Sequence, residues 1–196
     1  MQETLLYLSI LLLVIFFVSS FFSYFRDFIV KYFISIAIIT VSLILIAATI
    51  LSKNIYLDWL SHPFTANFLP PYSEINYFLS FIYYKFYLPY FVSFVFALIF
   101  YIFSRTSNNY FANLFYREEY CYMFISLFLV PFPLILYYLI LLIASLILIQ
   151  LYNLVIYRKN EKVSFYYLWF PIAVCVILMY MIIPQYIFLY NLGRIS

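Results

Sequence analysis

Few residues in this chain could do chemistry, and they stand in small groups. Asp58 and His62 are four positions apart, so a helix there would put both on one face, and Glu74 follows. A carboxylate–imidazole trio of this kind could hold a metal ion. His62 is followed directly by Pro63, which pushes it away from helical backbone. A polar loop at a membrane surface explains all three residues without a ligand, and no metal or other cofactor is expected.

Arg117-Glu118-Glu119 is the densest charge cluster beside an apolar run. Ionisable groups at membrane depth are costly unless paired or wet, which makes Glu118 and Glu119 the catalytic candidates. The same charges could simply mark a helix mouth, because the helix dipole favours acids at an N-terminus. Carboxylate chemistry also needs two acids converging on one water, one of them kept protonated by the other. Glu118 and Glu119 point about 100° apart around a helix and diverge. Asp27, the other acid expected on that side besides Glu161, stands between Arg26 and Lys31.

Other chemistries are excluded by what is scarce. Gly193 is the single glycine, so P-loops, dinucleotide-binding turns and nucleophile elbows cannot be built. One histidine cannot supply a bis-histidine haem site. Cys121 and Cys175 lie in apolar stretches without metal-ligand spacing and read as small buried hydrophobes. Basic residues form no cluster of a kind that tracks a phosphate backbone, so no nucleic-acid partner is expected.

The elements that must position these residues are apolar helices. The chain is 69% apolar and 9% charged, where soluble domains average about 45–50% and 25%. Lipid can cover such a surface and water cannot. The expected fold is an all-α membrane protein, a polytopic bundle of five or six transmembrane helices forming one domain over residues 1–196. The spans are expected at about 4–25, 32–52, 77–104, 116–130 (short or re-entrant), 134–157 and 165–190, from charge-free runs near the roughly 20 residues a bilayer requires. The first run lacks a basic leader and a small-residue cleavage site, so it reads as a retained helix. Lys85 is expected to snorkel or to face protein.

Pro131-Phe132-Pro133 interrupts the uncharged run from Tyr120 to Tyr157 and predicts a proline-broken hairpin there. With that hairpin, the loops holding Arg26 and Lys31, Arg105 and Arg117, and Arg158, Lys159 and Lys162 fall on one side. Positive-inside bias then places both termini outside. The loop from Lys53 to Asn76 is expected to carry a short surface helix near Ile55–Ser61, with Tyr56, Trp59 and Tyr72 in the interface belt. Tyrosines within spans are expected to hydrogen-bond between helices or to sit at the membrane interface. The abundance of Phe, Tyr and Ile suggests an AT-rich genome, with the protein in a bacterial inner membrane or an organellar one.

Residues 115–174, FYREEYCYMFISLFLVPFPLILYYLILLIASLILIQLYNLVIYRKNEKVSFYYLWFPIAV, weakly resemble the membrane domain of bacterial prepilin peptidases. The shared order is an acidic helix start, a short apolar arm, a long helix, a basic loop and a final helix opened by a proline-containing stretch. Glu118 or Glu119 stands about where the family's Gly-Asp catalytic motif would be. The Gly-Asp pair, a second catalytic Asp at a cytoplasmic helix end and the zinc-binding cysteine loop of many members are all missing. The resemblance therefore implies a diverged and inactive relative.

The expected function is that of a non-catalytic multi-spanning protein, a structural or assembly subunit of a larger membrane complex such as a respiratory or pilus-type assembly. Its expected partners are the lipid bilayer and other membrane subunits. The alternatives are a prepilin-peptidase-like membrane protein and a small transporter component, the latter short of intramembrane charges to line a path.

Overall fold

A computed structural model describes residues 2–69, 75–110, 119–152, 155 and 168–182 of the chain. Regular structure among them is entirely helical. Helix α1 spans Gln2–Ser20, α2 Ser23–Lys31, α3 Phe33–Ser61 and the single turn α4 Pro63–Ala66. Then come α5 Ile75–Ile82, a π-helical turn Tyr83–Tyr87, α6 Leu88–Tyr110, α7 Glu119–Leu129, α8 Leu134–Tyr152 and α9 Trp169–Ile182. Four helical runs are long and apolar enough to cross a membrane: Glu3–Ser20, Phe33–Ser61, Ile75–Thr106 and Leu134–Tyr152. Helices α7 and α9 are apolar but shorter.

Local chemistry explains where the first helices end. Ser19 and Ser20 donate their hydroxyls to the carbonyls of Phe16 and Phe17, at 2.8 and 2.6 Å, competing with the main-chain ladder. Phe22 is extended, so α1 stops at Ser20 and not near Phe25 as the charge-free run suggests. The following α2 carries Arg26, Asp27 and Lys31 and buries only Ile29.

Helix α3 differs from expectation in the other direction. It runs unbroken for 29 residues, about 43 Å, through the segment expected to hold a separate surface helix. No breaker lies between Lys53 and Ser61, and the exposed Lys53 and Asp58 are tolerated at its end. It stops at His62, whose extended backbone (φ −103°, ψ 124°) is what the following Pro63 demands.

The run from Ile75 carries an interior proline, Pro89, which lacks the N–H that Lys85 C=O would accept. The helix widens just before it, with Leu88 N–H donating to Tyr83 C=O in the π-turn. Phe33 stacks on Tyr101 (5.1 Å), Thr49 bonds Tyr87 (3.0 Å) and Tyr56 meets Phe78 edge-on (5.3 Å). Those pairs fix α3 antiparallel to α5–α6 along its length.

The short helix α7 sits at the centre. From Cys121 to Leu129 every residue is buried, packed among α1, α3, α6 and α9. It runs antiparallel to α6, with Phe94 edge-on to Phe128 and Ser104 against Met123. The helix ends where Pro131 and Pro133 interrupt it, and α8 begins at Leu134. Tyr138 then donates to Ser126 Oγ at 3.0 Å. In one continuous helix these two residues would lie about 18 Å apart along the axis, so the chain folds back at the prolines. Cys121 is buried as expected, whereas Cys175 is exposed on the outer face of α9.

Candidate functional site

The residues singled out for chemistry are mostly kept apart. Asp58 is helical near the end of α3, while His62 has left the helix, so the shared face that would have paired them does not form. Both are exposed, and Glu74 lies outside the described residues. Among the described residues no group of three His, Cys, Asp or Glu comes together. Glu118 also lies outside the described residues; Glu119 opens α7 and is 1% exposed. An acid in a helix first turn is stabilised by the N-terminal dipole.

The interior's polar side chains connect helices. Ser9 on α1 bonds Tyr90 on α6 at 3.0 Å, both buried. Tyr138 on α8 donates to Ser126 on α7 and lies 3.2 Å from the Trp169 carbonyl on α9, joining three helices through one hydroxyl. Sequence reasoning anticipated such tyrosine bonds in kind. It could not pick out Tyr90 or Tyr138 from the chain's other tyrosines.

The proline break itself was anticipated, but its clasp was not. Ser93 donates to Val130 C=O at 2.7 Å, and Phe132 N–H donates to Pro89 C=O at 3.1 Å. Pro131 and Pro133 carbonyls accept from Leu134 and Leu136 N–H groups at 2.9 and 3.1 Å. Four main-chain groups at the break, the carbonyls of Val130, Pro131 and Pro133 and the N–H of Phe132, are thus taken up by α6 and by the first turn of α8. Leu129, Val130 and Ser93 have no exposed surface. Non-helical backbone of this kind survives away from water only when satisfied within protein.

Charges among the described residues fall at two levels. Lys85 and Arg105 lie on one helical run with no charge between them, about 30 Å apart along the axis. The Thr49–Tyr87 and Tyr56–Phe78 pairs bring Lys53 and Asp58 to the Lys85 end, and Ser9–Tyr90 brings Glu3 there. Phe33–Tyr101 sets Lys31 beside the Arg105 end, and Ser104–Met123 sets Glu119 there. Helix α2, with Arg26 and Asp27, joins α1 to α3 at that same end. Lys85 leans over the rings of Phe81 (4.9 Å) and Phe86 (6.0 Å). Near the first level, Trp59 packs with Phe68, Tyr77, Phe78 and Phe81.

Protein-family models give no match to the chain, and searches of curated proteins and of solved structures give no significant match either.

Proposed function

We propose that the chain is a multi-spanning integral membrane protein that works by packing with other membrane subunits and carries out no catalysis of its own. The observation that carries the membrane reading is the pair of charge levels separated, among the described residues, by an uncharged band about as thick as a hydrocarbon core. Large apolar side chains are exposed across that band, among them Ile34, Ile38, Ile99, Phe103 and Ile140. The aromatic cluster around Trp59 suits the headgroup region at one edge of it.

The non-catalytic part rests on how the interior polar groups are used. Ser9, Ser93, Ser126, Tyr90 and Tyr138 are engaged in holding helices and the proline break together. In this reading the hairpin at the prolines returns α8 toward the side it came from, and both termini lie outside. A cysteine placed at position 160 should then label from the cytoplasmic or matrix side, and labelling from the outer side would refute that topology.

Extraction from native membranes in mild detergent tests the subunit role. The chain should migrate with partner proteins at fixed stoichiometry through successive columns. Migration as a protein–lipid–detergent particle free of partners would overturn it. A second reading, a diverged prepilin-peptidase-like protein, is favoured by one observation, the buried Glu119 at the start of α7. Prepilin cleavage by purified wild-type protein, abolished by Glu119→Gln, would establish that reading instead.

A further inference from the structure

A cavity of about 540 Å³ opens at the Arg105 level, between the α2–α3 junction, the last turns of α6 and the start of α7. Its volume lies within the range of small-molecule sites, about 300–1,000 Å³. Two cations from separate elements line it, Lys31 at the end of α2 and Arg105 on α6. Hydroxyl-bearing residues Tyr32, Ser35, Tyr101 and Tyr120 complete much of the wall, and no carboxylate is among the described lining residues. The first turn of α3 also lines it, and Tyr32, the residue that caps this helix, makes no side-chain cap bond. The C-terminal end of α2 meets the same junction at Tyr32, so the two helix ends oppose each other and the positive charge there comes from Lys31 and Arg105. The nearby Glu119 is buried at the start of α7 and is not part of the wall.

We propose that this cavity binds a phosphate-bearing anion, supplied by the headgroup of an anionic membrane lipid. The inference rests on the membrane reading above, since the cavity sits at the edge of the uncharged band. Arginine and lysine are suited to phosphate, one by a planar fork of donors and the other as a point charge. Exposed apolar residues beside the cavity, Phe28 and Ile34, provide a path for acyl chains into the band. The cavity's cations also belong to the side that positive-inside bias assigns to the cytoplasm, where anionic lipids concentrate.

The test uses the full-length protein in nanodiscs of phosphatidylcholine, with and without phosphatidylglycerol, read by lipid adducts in native mass spectrometry. Adducts of phosphatidylglycerol should be retained, and its apparent affinity should fall about fivefold for each of Lys31→Gln and Arg105→Gln. Lys53→Gln, at the other charge level, should leave it unchanged and controls for general charge. Equal losses in all three variants, or none in any, would overturn the site. A parallel titration with inorganic phosphate in detergent separates the sources. Protection from thermal unfolding by phosphate alone, with no lipid preference, would overturn the lipid assignment. Failure of the wild type to enter nanodiscs at all would instead strike the membrane reading.

Discussion

Ser93 and Val130 are joined by a 2.7 Å hydrogen bond from the serine hydroxyl to the valine carbonyl, across the interface of α6 and α7. The same hydroxyl lies 3.0 Å from the Pro89 carbonyl within its own helix. One side chain thereby couples the interior proline of α6 to the proline break after α7. Two irregular segments, each costly by itself, are placed where one supplies what the other lacks.

Removing that hydroxyl should therefore loosen the break. Ser93→Ala leaves the Val130 carbonyl without its donor in a buried position, and should destabilise the fold by about 1 kcal/mol, in the range of interhelical bonds within membranes. Ser93→Thr retains the donor and should cost less where its methyl is accommodated. Reversible unfolding in mixed micelles measures both. An unaltered Ser93→Ala protein would mean that the clasp contributes nothing.

Tyr138 makes a second, independent junction. Tyr138→Phe retains the ring and loses the bonds to Ser126 and to the Trp169 carbonyl, and should cost about 1–2 kcal/mol. Because the Ser126 hydroxyl and Tyr138 share a bond, combining Tyr138→Phe with Ser126→Ala should cost less than the sum of the two. Strict additivity in the same unfolding assay would contradict the junction.

Which of these features could be read from the sequence follows from their range. Charge-free runs located α1, α3, α6 and α8 because one-dimensional hydrophobicity suffices for long apolar helices. Pro131 and Pro133 marked the break because proline acts on the backbone of its own neighbours. Ends were misjudged where short-range polar effects competed with hydropathy: Ser19 and Ser20 stopped α1 early, and Lys53 and Asp58 did not stop α3. Partners such as Ser93 and Val130 depend on how α6 and α7 dock, which no local pattern encodes. The Asp58–His62 pairing failed for a local reason already visible, the proline at position 63.

Glu119 separates the structural reading from the enzymatic one. Glu119→Gln removes a buried carboxyl from the first turn of α7, next to the N-terminal end of the helix dipole. The variant should show a lower membrane level and a lower unfolding midpoint, with prepilin cleavage at background for wild type and variant alike. Wild-type cleavage that disappears in the variant would show Glu119 to be catalytic.

The depth of the proline break is the most direct test of a membrane-embedded, internally clasped fold. Phe132 is 40% exposed, so its side chain can carry a label while its main-chain N–H still reaches Pro89. A nitroxide at Phe132→Cys, in a background with Cys121 and Cys175 replaced by Ala, would be measured in bilayers with oxygen and a water-soluble nickel chelate as relaxants. A break held about 6 Å inside the Lys85 level, where the Phe132–Pro89 bond places it, predicts stronger relaxation by oxygen than by the chelate. Relaxation dominated by the chelate would place Phe132 in water and contradict the fold's insertion as described.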